Sequence, residues 1–441
     1  MPHGPFSSGR YNLSYQRPSP NCRTLNSAEV ENAIANLTSA IADPDLARLF
    51  ENSLPNTLDT TVKWRGYAAN NSDEELTFLI TGDINAMWLR DSANQLQSYH
   101  SLLNASNSTN SLASLYRGVI NLQSRYLLTS PFCNSFQPPP ESGIPPTTNQ
   151  VALNDVVTPA YNNQTVYECK FELDSLAAFL ELSTNYYTAT QDLAFFSKYQ
   201  WIPTIQTILT TAQSMILPTY APNGTVNPLT YTFTRQTTTS SDTLSNSGTG
   251  SPVNNNTNLI RSPFRPSDDS TIYQYLIPAN MLFAHYLNTT SQIISLLPSQ
   301  TALADQMSSL SAALTAAITT HGIIHTPTHG SVYAYEIDGY GGQNIMDDAN
   351  IPSLLSSPFI GYLSAEDPVY QNTRKMLLSG DGNPYFMRGP VVSGIGGPHN
   401  GPGFAWPMSV VVGILTSGDE GEIVGGLREL VGSTDGLGLR G

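Results

Sequence analysis

Stretches of helical periodicity recur at similar length along these 441 residues, while convincing strands are few. No other feature constrains the fold as much. The first stretch opens at Asn26-Ser-Ala-Glu-Val-Glu, where Asn26 is the expected N-cap and Glu29 can reach back to its amide as in a capping box. Val30, Ile34, Leu37 and Ile41 follow on one helical face, and Pro44 ends the run. Further helices are expected at roughly 88–103, 112–127, 172–187, 200–216, 276–297, 301–320 and 404–416. Gly- and Pro-bearing loops separate them, which points to a helical hairpin array in one large domain spanning 26–441. Residues 1–25, rich in Pro, Ser and Gly, read as an extended arm. Residues 76–83 read as a short buried strand ending at Gly82-Asp83, and the Thr/Ser/Asn tract 231–262 as a surface excursion.

Charge narrows the choice of partner. Charged residues are 12% of the chain, with only four lysines and a net charge of −15, against a usual charged share of about 25%. That balance excludes nucleic acid, which needs a basic footprint, and anionic lipid. No apolar run reaches the length of a membrane span. Neutral, hydroxyl-rich partners such as sugars fit it. Ser, Thr and Asn form the surface instead, which suits a secreted protein or one in the secretory pathway. Nine N-x-S/T sequons add little, because chance gives about seven at this composition. Met1-Pro-His-Gly-Pro lacks the charged and apolar regions of a signal peptide, so the start shown is expected to be internal to a longer protein. Three cysteines allow at most one internal disulfide, with Cys22–Cys133 the candidate pairing and Cys169 free.

Four segments could carry chemistry. In Thr81-Gly-Asp-Ile-Asn-Ala-Met-Trp-Leu-Arg-Asp-Ser, carboxylates Asp83 and Asp91 stand near Arg90 and Trp88. Sugar sites use this mixture: carboxylates accept from hydroxyls, arginine fixes a carboxylate, and an aromatic face covers the apolar side of a pyranose. The bland alternative is an Arg–Asp pair stapling a helix start. In Tyr167-Glu-Cys-Lys-Phe-Glu-Leu-Asp-Ser, Asp174 sits beside an apolar helical stripe, where removal from water raises a carboxyl pKa and lets it hold a proton. The bland alternative is a first-turn acid favoured by the helix dipole. Asp347 and Asp348, in Ile345-Met-Asp-Asp-Ala-Asn-Ile-Pro, suit sugar hydroxyls or ordinary capping. The Ser393-Gly-Ile-Gly-Gly-Pro-His-Asn-Gly-Pro-Gly loop lacks a Lys-Ser/Thr ending, and its prolines remove amide donors. Nucleotide binding is therefore rejected, leaving a loop that presents His399 and Trp406 to a ligand or serves as a plain turn. His321, His325 and His329 recur every four residues, but Gly322 and Pro327 interrupt the helix that zinc ligation would need.

Taken in order, Thr81-Gly-Asp through Leu-Arg-Asp-Ser, Lys170-Phe-Glu-Leu-Asp-Ser, Met346-Asp-Asp-Ala-Asn-Ile-Pro-Ser-Leu and Gly394-Ile-Gly-Gly-Pro-His through Trp-Pro-Met resemble glycoside hydrolase family 125. The resemblance implies a metal-independent, inverting exo-α-1,6-mannosidase on an (α/α)₆ barrel, all-α with short strands and long loops, acting on α-mannoside glycans without cofactor or metal. By the same resemblance Asp174 is the general acid, and Asp83, Trp88, Arg90 and Asp91 grip the sugar, with Asp347, Asp348 and His399 as helpers. The family's general base is a Glu in a His-Glu-Ser-Phe-like segment, followed by an aromatic-rich last helix. Here Ser433-Thr-Asp-Gly-Leu-Gly-Leu approaches that segment before Arg440-Gly441, so the base and the last helix are expected to be missing. Glu420, Glu422 and Glu429 read as solvated helix surface. Loss of the base would remove roughly 10²–10⁴-fold in rate, and loss of the helix would leave apolar faces exposed. A mannoside-binding protein that kept the grip and lost the chemistry is the reading from another class. A helical-barrel hydrolase with a different sugar preference is the third.

Overall fold

The computed structural model of the protein describes residues 3–254 and 257–434. Its helices are α1 (Ala28–Ala40), α2 (Pro44–Ser53), α3 (Leu89–Gln97), α4 (Leu112–Thr129), α5 (Leu173–Thr190), α6 (Trp201–Ser214), the single turn α7 (Ser245–Gly248), α8 (Ile277–Ser295), α9 (Thr301–Ala317), α10 (Pro368–Leu377), α11 (Pro407–Leu415) and α12 (Glu420–Gly432). Every expected helical stretch contains one of them. Ser27, not Asn26, caps α1: its hydroxyl accepts from Val30 N and donates to Glu29. α1 ends at Ala40, before Pro44 is reached, and Pro44 instead opens α2 at a position where its missing N–H costs nothing, behind the capping carboxylate of Asp43.

The core is organised around α5. Every residue from Leu173 to Ser183 is buried, so this helix is enclosed on all faces for three turns, packed by α3, α4 and α8. Asp174 lies in its first turn and so enters the protein interior at a helix N-terminus.

Short antiparallel strands tie the helices together. Val62–Ala68 pairs with Asn71–Leu79 and rests on α4. The strand expected at 76–83 is the second half of this pair, and its last residues leave the sheet. Met87–Trp88, Ser135–Phe136 and Val166–Glu168 form a small three-stranded sheet in that spatial order. This sheet brings the start of α3 beside the approach to α5. Its antiparallel pairing also sets Cys133 beside Cys169, and these two form the disulfide, while Cys22 is free and exposed in the arm. The expected Cys22–Cys133 pairing is therefore corrected: strand register, not chain order, chose the partners.

One other expectation changes. The tract 231–262 is a surface excursion only in part, since Leu259, Ile260, Arg261 and Ser262 are buried. The arm, mostly extended, runs across α1 and α2; Leu13 and Ser14 are buried, and Arg17 donates to Asp59 and Glu31. His321 lies in the π-helical segment Ile318–Gly322 that continues α9 and His325 in strand Ile323–Thr326, so no single helix face gathers the histidine series.

Candidate active site

Gly82 sits at φ +139°, a conformation that disfavours a side chain, and lets the chain turn so that Asp83 stands exposed before the buried strand Met87–Trp88. Helix α3 starts directly after Trp88 and carries Arg90 and Asp91 in its first turn. Arg90 Nη1 donates to Glu172 Oε2 at 2.7 Å and to Asp174 Oδ2 at 3.0 Å, while Nη2 donates to Asp91 Oδ1 at 2.9 Å. The local Arg–Asp pair thus exists, but the guanidinium also spans more than 80 residues of sequence to grasp two acids at the head of α5.

Those two acids are fully enclosed. The side chains of Glu172 and Asp174 have no exposure to solvent, whereas Asp91 keeps 33% of its own. Burial pushes the pKa of Asp174 up, against the opposing pull of Arg90. Burial pushes Glu172 well above the carboxylate range, again with Arg90 opposing. Among the described residues, Asp174 Oδ1 has no hydrogen-bond partner, and neither does the Trp88 indole N–H. A buried polar atom left without a partner is costly unless it meets a ligand or ordered water. Both fall on residues that sequence reasoning singled out.

A ring of further polar residues surrounds this centre. Asn134 Nδ2 donates to Glu172 Oε1 at 3.0 Å and to Asp268 Oδ1 at 3.1 Å, and Asn134 Oδ1 accepts from Lys170 N. Lys170 Nζ donates to the Asp268 carbonyl at 2.8 Å. The neighbouring Asp269 lies 3.6 Å from His399 Nδ1 and pushes the imidazole pKa up. Buried Arg265 is held by Glu336 at 2.6 Å. Asp348 accepts from Asn350 N and Nδ2. Gly397 approaches it so closely that a Cβ there would lie 2.9 Å from the carboxylate, which explains a glycine in that loop.

Two expected helpers stand differently. Both carboxylate oxygens of Asp347 accept backbone amides, from Leu354 and Leu355 at 2.9 Å, so its place is a buried turn. Trp406 lines an apolar groove of about 810 Å³ together with Leu49 of α2 and Val411 of α11, although its ring also meets His399 edge-on at 6.2 Å. Glu422 pairs with Arg374, and Glu429 accepts from Ser393 N, so these two are structural partners, not idle surface. Residues 435–439 of the segment compared with the family's base lie outside the described residues.

Sequence reasoning assigned no role to Asn134, Lys170, Arg265, Asp268 or Asp269. Arg265-Pro-Ser-Asp-Asp269 was the available signal: a charge cluster inside a chain that carries few charges, just after a tract taken for surface.

An enclosed protonatable carboxyl, an arginine gripping it, an unpartnered indole N–H and a surround of further acids are the equipment of a glycoside hydrolase. The chain belongs to the GH125 family of metal-independent alpha-mannosidases, whose family model matches residues 43–440. It is 45% identical over 434 residues to the Meiotically up-regulated gene 157 protein of Schizosaccharomyces pombe (strain 972 / ATCC 24843), covering 98% of this chain and 83% of that protein. It also resembles a Streptococcus pneumoniae metal-independent alpha mannosidase solved as a non-productive substrate complex with alpha-1,6-mannobiose. The TM-score is 0.79 at 29% identity, over 92% of this chain and 89% of that one.

Proposed function

We propose that this protein is an inverting exo-α-1,6-mannosidase that releases mannose from the non-reducing ends of α-mannoside glycans, with Asp174 as general acid. The observation that carries the proposal is Arg90, bonded at once to Asp91, Glu172 and Asp174 while Asp174 Oδ1 stays buried with no partner among the described residues. Arg90 occupies Oδ2, so the proton that a leaving glycosidic oxygen needs resides on Oδ1. Family membership and the mannobiose complex of the pneumococcal relative support α-1,6-linked mannose as the sugar. Asp83, Trp88, Arg90 and Asp91 are assigned to the sugar grip, with Asp348 and His399 behind them. Inversion requires a second carboxylate about 6.5–9.5 Å away to activate water, and the commitments of Glu422 and Glu429 disfavour both for it. The helices are assigned to an (α/α)₆ arrangement by the same family likeness. The buried Cys133–Cys169 disulfide supports passage through the secretory pathway, where such bonds persist.

The second reading, from another class, is a protein that binds mannosides without turning them over. Mannose release from α-1,6-mannobiose, measured alongside binding, separates the two. The enzyme reading expects release that Asp174→Asn lowers by about 10²–10⁴-fold with binding retained. Binding without release in the parent chain selects the second reading, and neither binding nor release sinks both.

A further inference from the structure

Beside the Trp88 segment lies a cavity that the mechanism above does not use. Its volume is about 460 Å³, within the range of about 300–1,000 Å³ typical of small-molecule sites. Tyr167 joins it to the proposed mannose site: it lines the cavity, and its ring meets Trp88 at 5.6 Å and 61°. Through that contact the cavity adjoins the segment assigned to the sugar grip.

The lining has a consistent character. Amide and hydroxyl side chains, among them Asn149, Asn162 and Thr147, alternate with the ring of Tyr161 and with Leu153, which is 61% exposed. The one acidic side chain among the lining residues, Asp155, accepts a forked pair of hydrogen bonds from buried Arg235 at 2.8 and 2.7 Å, and the same guanidinium also holds Glu168 at 2.5 Å. The cavity thus offers hydrogen-bonding groups and apolar faces beside a single carboxyl that is already engaged. That combination suits a neutral polyol, since hydroxyls take the amides and the C–H face of a pyranose covers a ring or an aliphatic side chain. It disfavours a phosphate or another anion, because no lysine or arginine is among the described residues that line it.

Resting on the mannosidase reading, we propose that this cavity is an accessory mannose subsite, which holds units of a longer α-mannoside beyond the two nearest the scissile bond. The protein then prefers extended chains to a disaccharide, and Tyr161 and Leu153 set that preference. Asn163 at its rim is a sequon asparagine, so the test uses chain made without N-glycosylation.

S-linked α-1,6-mannobiose and α-1,6-mannotetraose, which resist hydrolysis, are titrated calorimetrically into the whole chain. The tetraose is expected to bind about three- to tenfold more tightly, the worth of one pyranose–aromatic contact. Tyr161→Ala and Leu153→Asp should each bring the tetraose-to-biose ratio close to one. Leu153 is exposed, so its substitution keeps the test valid if the tyrosine variant fails to fold. Equal affinities in the parent chain overturn the subsite and leave the mannosidase site standing. A length preference that survives both variants overturns this location. No affinity for either sugar removes the mannoside reading and this inference with it.

Discussion

Arg90 decides the charge balance of the centre. It is the common partner of three acids, two of them without solvent contact, and a lysine could not reproduce its fork. Arg90→Met leaves Glu172 and Asp174 buried and unpaired, a loss of about 3–5 kcal/mol for a broken buried ion pair. The sign of the pH response follows from the raised carboxyls. Without the guanidinium they rise further, so the folded chain keeps protons that the unfolded chain releases. Stability is then full below the ordinary carboxylate range and is lost as pH rises. Urea unfolding at pH 7 and pH 5 should show the variant much weakened at the first and partly recovered at the second. A deficit independent of pH would mean that Arg90 does not hold these acids.

The element that organises the site is α5, and it carries a second buried acid. Glu181 lies two turns beyond Asp174 on the same helix, where Gln97 donates to it and Tyr286 of α8 also bonds. Burial pushes its pKa up to about 7, with those two hydrogen bonds opposing. A carboxyl raised in the folded state supplies stability that is complete below its unfolded value. That contribution is lost between about 4.5 and about 7. The loss amounts to about 3 kcal/mol at the usual conversion. Glu181→Gln, neutral at every pH, should match the parent at pH 4 and exceed it at pH 8 by about that amount in chemical denaturation. Parallel stability curves for the two chains would show that the helix interior hydrates this group.

At the scale of the whole molecule the arm is a strap. Arg17 is buried with Asp59, to which Nε donates at 2.8 Å, and Tyr11 N donates to buried Asp45 at 2.8 Å. Removing residues 1–25 strips both aspartates of these partners and uncovers the region around α1 and α2. A loss of at least about 3 kcal/mol is expected, read by denaturant unfolding of the shortened chain, with Arg17→Ala accounting for much of it. Unfolding that coincides with that of the parent would show the strap to be ornamental.

Most of the longer helices were legible because burial of one face imposes a period on nearby residues, and that period is written in order along the chain; α2 and α10, of ten residues each, were not expected. Asp174 beside its apolar stripe, and the cluster from Asp83 to Asp91, stood out as candidates for the same reason: each lies within a few residues of its own signal. What the sequence could not carry was pairing across distance. Asn134 meets Asp268 134 positions away, Cys133 finds Cys169 because two short strands align them, and the buried end of the 231–262 tract looked like surface until α8 packed beside it, with Asn280 bonded to Ile260. Local chemistry determined which side chains could act. Only the tertiary structure decided which of them meet, because strand register and helix packing minimise the free energy of the whole chain, and no local stretch records that sum.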